Sequence, residues 1–185
     1  MLPVLLWLSA CAPRVGVPPA PAAAEATIAP PFTVAQLRAA HPVGTHLRFR
    51  IERYNQPPLE EWWTWTAVDE AGCTITSTVH DATGAALTAE QATAFQRRTG
   101  TWRAEWTELS GRFPAARNRI VASWADVPGG RFDTWLVTVR SATDGRRTVS
   151  EHHYAQAMPG PPLLVTTEVE GIVVSRTTMV KRSGP

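Results

Sequence analysis

Leu47-Arg48-Phe49-Arg50-Ile51-Glu52 alternates apolar and charged side chains without a break. Successive side chains of a strand point to opposite faces, so this hexapeptide predicts a strand with one face in the core and one in water. The same period extends along the chain. Strands are expected over 62–68 and 72–80, joined by the turn Asp69-Glu70-Ala71-Gly72. Trp102, Ala104 and Trp106 alternate with Arg103, Glu105 and Thr107, which predicts another strand. Further strands follow over 119–127, up to Arg140, and over 148–155, 163–170 and 172–181. Pro128-Gly129-Gly130, Asp144-Gly145 and Glu170-Gly171 supply turns between them. Phe132 is out of phase with Trp135, Val137 and Val139, so a bulge is expected near Asp133-Thr134.

Two segments break the alternation. Thr33-Val34-Ala35-Gln36 and Thr88-Ala89-Glu90-Gln91 both fit the capping box, in which a threonine hydroxyl and a glutamine amide satisfy the first free helical N–H groups. One short helix is expected to run to about Ala40, stopped by His41-Pro42 and Gly44. A second is expected over 92–98. The fold class is therefore mainly β: a strongly curved antiparallel sheet of about nine strands with two short helices, because the connections are too short for parallel crossovers. No period of about 20–50 residues repeats, which excludes a propeller or solenoid.

Residues 12–31 are almost entirely Ala, Pro, Val and Gly, with Arg14 and Glu25 the only charges. Six prolines there favour a semi-rigid polyproline II spacer. This leaves 32–185 as one β-rich domain, large enough for a core without disulfides or metals. A net charge of +2 on 185 residues, with Arg97-Arg98 and Arg146-Arg147 set among acids, does not make a nucleic-acid footprint. No run approaches the roughly 18–20 apolar residues of a membrane-spanning helix. Cys73 lies on the apolar side of its strand and reads as a small buried hydrophobe.

Seven of the eight tryptophans fall in the domain. Trp63 and Trp65 share a face, as do Trp102 and Trp106, while Trp62 points the other way. With Trp135, the four inward residues Trp63, Trp65, Trp102 and Trp106 are candidates to line a groove for an apolar ligand. The competing reading is that they fill the core. An exposed Trp62 or Trp63 rimmed by charge would instead mark a partner surface. No catalytic residue is assigned: there is no nucleophile elbow, and Glu60, Glu61 and Asp133 read as solvated acids at strand edges. No metal or cofactor is expected either, since His152 and His153 point to opposite faces of one strand and no spacing matches a zinc site. Pro128-Gly129-Gly130 lacks the helix and lysine of a phosphate loop.

Leu8-Ser9-Ala10-Cys11, behind the apolar run Val4-Leu5-Leu6-Trp7, resembles the bacterial lipobox. The resemblance implies that 1–10 is a lipoprotein signal peptide, that Cys11 is lipidated, and that 11–31 is a tether to the membrane. Ala12, where sorting signals of enteric bacteria have Asp, implies the outer membrane, facing the periplasm. The domain is similar to the lipoprotein-carrier superfamily and related envelope β-proteins. The segments that carry this are Pro128-Gly129-Gly130-Arg131-Phe132-Asp133-Thr134-Trp135 and His153-Tyr154-Ala155 through Met158-Pro159-Gly160. It implies an unclosed β-barrel with helices against its open side. The expected function is a non-enzymatic, lipid-anchored envelope protein that binds a lipid-like or peptide ligand in a tryptophan-lined groove. The alternative is a structural adaptor that binds another envelope protein, and an enzyme acting on cell-wall glycan or lipid ranks third.

Overall fold

The computed structural model describes residues 27–110, 113–114, 118–143 and 145–185. The segments expected to be signal peptide and tether, as far as residue 26 and with Cys11 among them, lie outside the described residues, as does Asp144 of the expected Asp144-Gly145 turn. In chain order the elements are β1 (Thr27–Ile28), α1 (Val34–Ala40), β2 (His46–Arg53), β3 (Gln56–Val68), β4 (Gly72–His80), α2 (Ala89–Ala94) and β5 (Gly100–Glu105). They continue with α3 (Trp106–Ser110), β6 (Phe113–Pro114), β7 (Asn118–Val127), β8 (Gly130–Thr143), β9 (Arg146–Ala155), β10 (Leu164–Val169) and β11 (Ile172–Ser183).

Nine strands form one antiparallel sheet in the order β5-β4-β3-β2-β11-β10-β9-β8-β7, which is not closed into a barrel. It consists of two meanders, β2 to β5 and β7 to β11, joined where β11 pairs with β2. The main core draws on both meanders and on two helices. Leu37 of α1, Leu47 and Phe49 of β2, Ile75 of β4, Trp106 and Leu109 of α3, Val137 of β8 and Tyr154 of β9 belong to one cluster. A single cluster can span so many strands only if the sheet bends around it, with α1 and α3 on the inner side. A second cluster of Ile51, Leu59, Val79 and Ala92, with Leu87 and Phe95 against it, seats α2.

Both capping boxes form. Thr33 caps α1 and Thr88 caps α2, each with its glutamine closing the reciprocal bond. The second helix is shifted from the expected 92–98, because the capping-box residues are themselves its first turn and the chain reverses at Gln96, φ +54°. A third helix replaces the end of a predicted strand: Trp106 opens α3 instead of closing the strand begun at Gly100. Glu108 accepts a hydrogen bond from the Glu105 backbone N–H at 3.1 Å and turns the chain. The alternation Trp102/Ala104/Trp106 continues up to the first helical residue, so periodicity could not reveal a five-residue helix.

The bulge expected at Asp133-Thr134 is absent: β8 pairs in unbroken register with β7 and with β9 through these residues. Thr134 is fully buried, while Phe132 and Trp135 both pack on the main core. Both faces of β8 are thus covered at this end, and alternation no longer identifies the inward side. Register shifts occur instead at Ile51/Arg53, Trp65/Ala67, Thr167/Glu168 and Met179/Lys181. β3 also begins earlier than expected, at Gln56, because Pro57 and Pro58 concealed its first residues.

Candidate functional site

The inward tryptophans meet in the core. Trp65 and Trp106 are 0% and 1% exposed, and Trp63, Trp102 and Trp135 pack against the same cluster. Trp63 is the hub, with ring centroids 5.0 Å from Phe49, 6.2 Å from Trp65 and 5.8 Å from Trp102. The Trp106 indole N–H donates to the Asp69 carbonyl at 3.0 Å, so this residue also ties α3 to the β3–β4 turn. Trp65 and Trp106, the latter the first residue of α3, thus belong to the core that also takes Leu37 of α1, and Trp63 and Trp102 pack against it.

Glu61 is the surprise of the inner face. Expected to be solvated, it is 6% exposed, because it falls between Leu59 and Trp63 on the core side of β3. One carboxylate oxygen accepts from the Trp63 indole N–H at 2.8 Å and from the Ser77 hydroxyl at 3.3 Å. The other lies 3.5 Å from Arg97, just beyond α2. Arg53, nearby, donates to the Phe95 carbonyl at 2.7 Å. Losing one partner of such a buried pair leaves an uncompensated charge, so this knot fixes the α2 segment to the sheet.

Trp62 has the opposite environment. It points away from the core and is 42% exposed. Its ring leans on His80, centroids 4.2 Å apart, and the Arg48 guanidinium carbon lies 5.1 Å from its centre. Its indole N–H donates to Glu60 at 3.4 Å, and Glu60 in turn accepts from Arg48 Nε at 2.8 Å. Glu60 is therefore an ion-paired acid that steadies an exposed aromatic ring, a correction to its expected solvation.

Cross-strand register builds a groove beside that ring. Lys181 of β11, Arg48 of β2, Trp62 of β3 and Thr78 of β4 stand side by side in one row across the sheet. The next row is Ser183, His46, Thr64 and Thr76. Three of the four side chains in the second row are short hydroxyls, and three of the four in the first are long, which leaves a depression of about 280 Å³. His46 Nδ1 lies 2.9 Å from the Thr64 hydroxyl, and the Thr76 and Thr101 hydroxyls are 2.9 Å apart. Trp63 is the one sequence-predicted candidate that also borders this groove. His46, at the start of a strand, is expected from the sequence to be solvated or hydrogen-bonded, and it is bonded to Thr64; Thr64 and Lys181 carry no sequence signal of their own. Their grouping depends on β11 pairing with β2, which joins opposite ends of the domain and has no local signature.

The remaining polar candidates do not converge on the groove. His153 Nδ1 lies 3.2 Å from the Thr134 hydroxyl on the far meander, and burial lowers the pKa values of His152 and His153. Among the described residues, no group of three or more His, Cys, Asp or Glu is placed to hold a metal ion. Cys73 is fully buried, and burial pushes its thiol up to about 11.

No family model matches the chain, and no curated protein sequence matches it. Among solved structures, it is similar to one from Bacteroides fragilis described as "a putative exported protein with YmcC-like fold". The two share 8% identity at a TM-score of 0.48, over 77% of this chain and 97% of that one.

Proposed function

We propose that this chain is a lipid-anchored cell-envelope protein that works by binding rather than by catalysis, through the groove beside Trp62. The anchor rests on the lipobox-like Leu8-Ser9-Ala10-Cys11 and the Pro/Ala-rich tether behind it, with the outer membrane, facing the periplasm, as the site. The observation that carries the binding role is the contrast between two sets of tryptophans. Trp65 and Trp106 are consumed by the core, while Trp62 is held half-exposed by His80, Arg48 and Glu60 at the wall of an open groove. Aromatic rings fixed in this way lose little side-chain entropy when a ligand or partner arrives. This favours an external binding face over an apolar ligand in the interior. Glu60, bonded to the groove residues Arg48 and Trp62, already accepts from both, which suits a structural role better than proton transfer.

In-cell photo-crosslinking tests this reading. Benzoylphenylalanine placed at Thr78, beside Trp62 in the groove, should yield a discrete adduct, while the same residue at exposed Arg140 on β8 should not. Cys11→Ser should move the protein out of the membrane fraction. Equal labelling at both positions would contradict the groove, and unchanged fractionation of the Cys11→Ser protein would contradict the anchor.

A further inference from the structure

We infer that the Trp62 groove takes a glycan chain bearing anionic groups, one sugar residue lying over Thr64. This rests on the reading of that groove as the binding site. The floor of the groove is polar. Thr64, Thr76, Thr78 and Ser183 line it; the Thr64 and Thr76 hydroxyls are already bonded to His46 and Thr101, and a hydroxyl with one partner can still take another. A polyhydroxylated ligand exchanges its water for such partners, whereas an acyl chain would desolvate them without replacement.

The wall is aromatic. The indole face carries negative charge density, which attracts the weakly positive C–H groups of a sugar ring. Trp62 offers 42% of its surface and is already oriented by its neighbours. At about 280 Å³, the groove is near the lower end of small-ligand sites, the scale of one subsite on an open surface. Arg48 separates it from a second depression of about 290 Å³ lined by Arg50, Glu60, Asp81 and Thr83 among others, which gives a chain a continuation for a neutral sugar residue, the anionic group staying at the Lys181 end.

The rim is basic. Lys181 and Arg48 sit directly opposite each other across β11 and β2. Like charges in that position destabilise a sheet. Glu60 compensates Arg48, but among the described residues no ion pair is formed by Lys181, which is exposed. The surplus cation at the groove's rim is matched by a uronate, sulfate or phosphate group on the ligand. An acidic peptide is the weaker fit. β2 and β3 are hydrogen-bonded on both sides, so the groove offers no free backbone edge for strand addition.

The test uses the full-length protein in detergent against an array of uronate-, sulfate- and phosphate-bearing oligosaccharides. Their neutral counterparts and polyglutamate peptides are included, and hits are followed by calorimetric titration. The expected result is an anionic oligosaccharide that binds more tightly than its neutral counterpart and weakens with salt. Trp62→Ala should weaken it about tenfold, and Lys181→Ala about two- to fivefold. Far-UV circular dichroism and the urea midpoint would verify that both variants are folded. Polyglutamate binding alone, equal binding of neutral sugars, or no glycan binding would overturn the inference and leave the groove reading standing. Glycan binding unaffected by either substitution would overturn both.

Discussion

Lowering the pH from about 7.5 to about 4.5 should cost this fold about 2.5 kcal/mol through His41 alone. His41 ends α1 and is fully buried, its ring stacked on Trp65 at 4.7 Å and 25°. Nδ1 donates to the Leu37 carbonyl at 2.9 Å. Gly160 lies so close over the far edge that an added Cβ there would sit 2.7 Å from the ring. Burial holds the pKa down at about 4 from its usual 6.5, against the opposing Leu37 hydrogen bond and with the help of nearby Arg182. The sign follows from which state binds the proton. Above about pH 6.5 the ring is neutral in both states, and its contribution is fully present. Between 6.5 and about 4 the unfolded chain takes up a proton that the native state refuses, so stability falls with falling pH and levels off below.

Urea unfolding followed by tryptophan fluorescence, at steps across that range, measures the loss. His41→Gln keeps a donor for Leu37 but cannot titrate. It should be less stable at neutral pH, because the stack on Trp65 is gone, yet lose about 2.5 kcal/mol less on acidification. His152 and His153, whose pKa values burial also lowers, titrate in both proteins and cancel in the comparison. Equal acid losses in the wild type and in His41→Gln would refute the assignment.

Other consequences follow from burial and contact. Trp106→Ala should lower stability by about 3–5 kcal/mol in the same urea assay, because a fully buried indole and its bond to Asp69 are removed together. Trp62→Ala should cost no more than about 1 kcal/mol, since nearly half of that side chain is already in water. Cys73 should resist iodoacetamide at about pH 8 until the protein is unfolded, because its thiol is buried and its pKa is raised to about 11. Gly72→Ala should prevent normal pairing of β4 with β5, since the new Cβ would lie 2.1 Å from the Ala104 carbonyl oxygen; a loss of expression or a sharply lowered melting temperature would show it.

The alternation at Leu47 to Glu52 reports one dry and one wet face, and β2 has both. The capping boxes were equally legible, because they are complete within four residues. What escaped notice depends on distant partners. Glu61 is buried because Trp63, Ser77 and Arg97 receive its charge, and no local pattern reveals that Arg97 turns back over β3. The face of Trp62 opposite its neighbours was readable, but its groove was not. Lys181 and Ser183 reach it only when the last strand pairs with the first strand of the sheet. The strand expected to end at Trp106 shows a further limit, since alternation cannot distinguish a strand's last inward residue from the first residue of a short helix.

The most direct test of the central claim is native mass spectrometry of the full-length protein extracted from its own host's membranes, wild type beside Trp62→Ala. The expected result is a chain starting at triacylated Cys11 in both, with a co-purifying ligand mass in the wild type that is absent from Trp62→Ala. A ligand retained equally by both proteins would contradict binding at the Trp62 groove, and an unmodified chain beginning at Met1 would contradict the anchor.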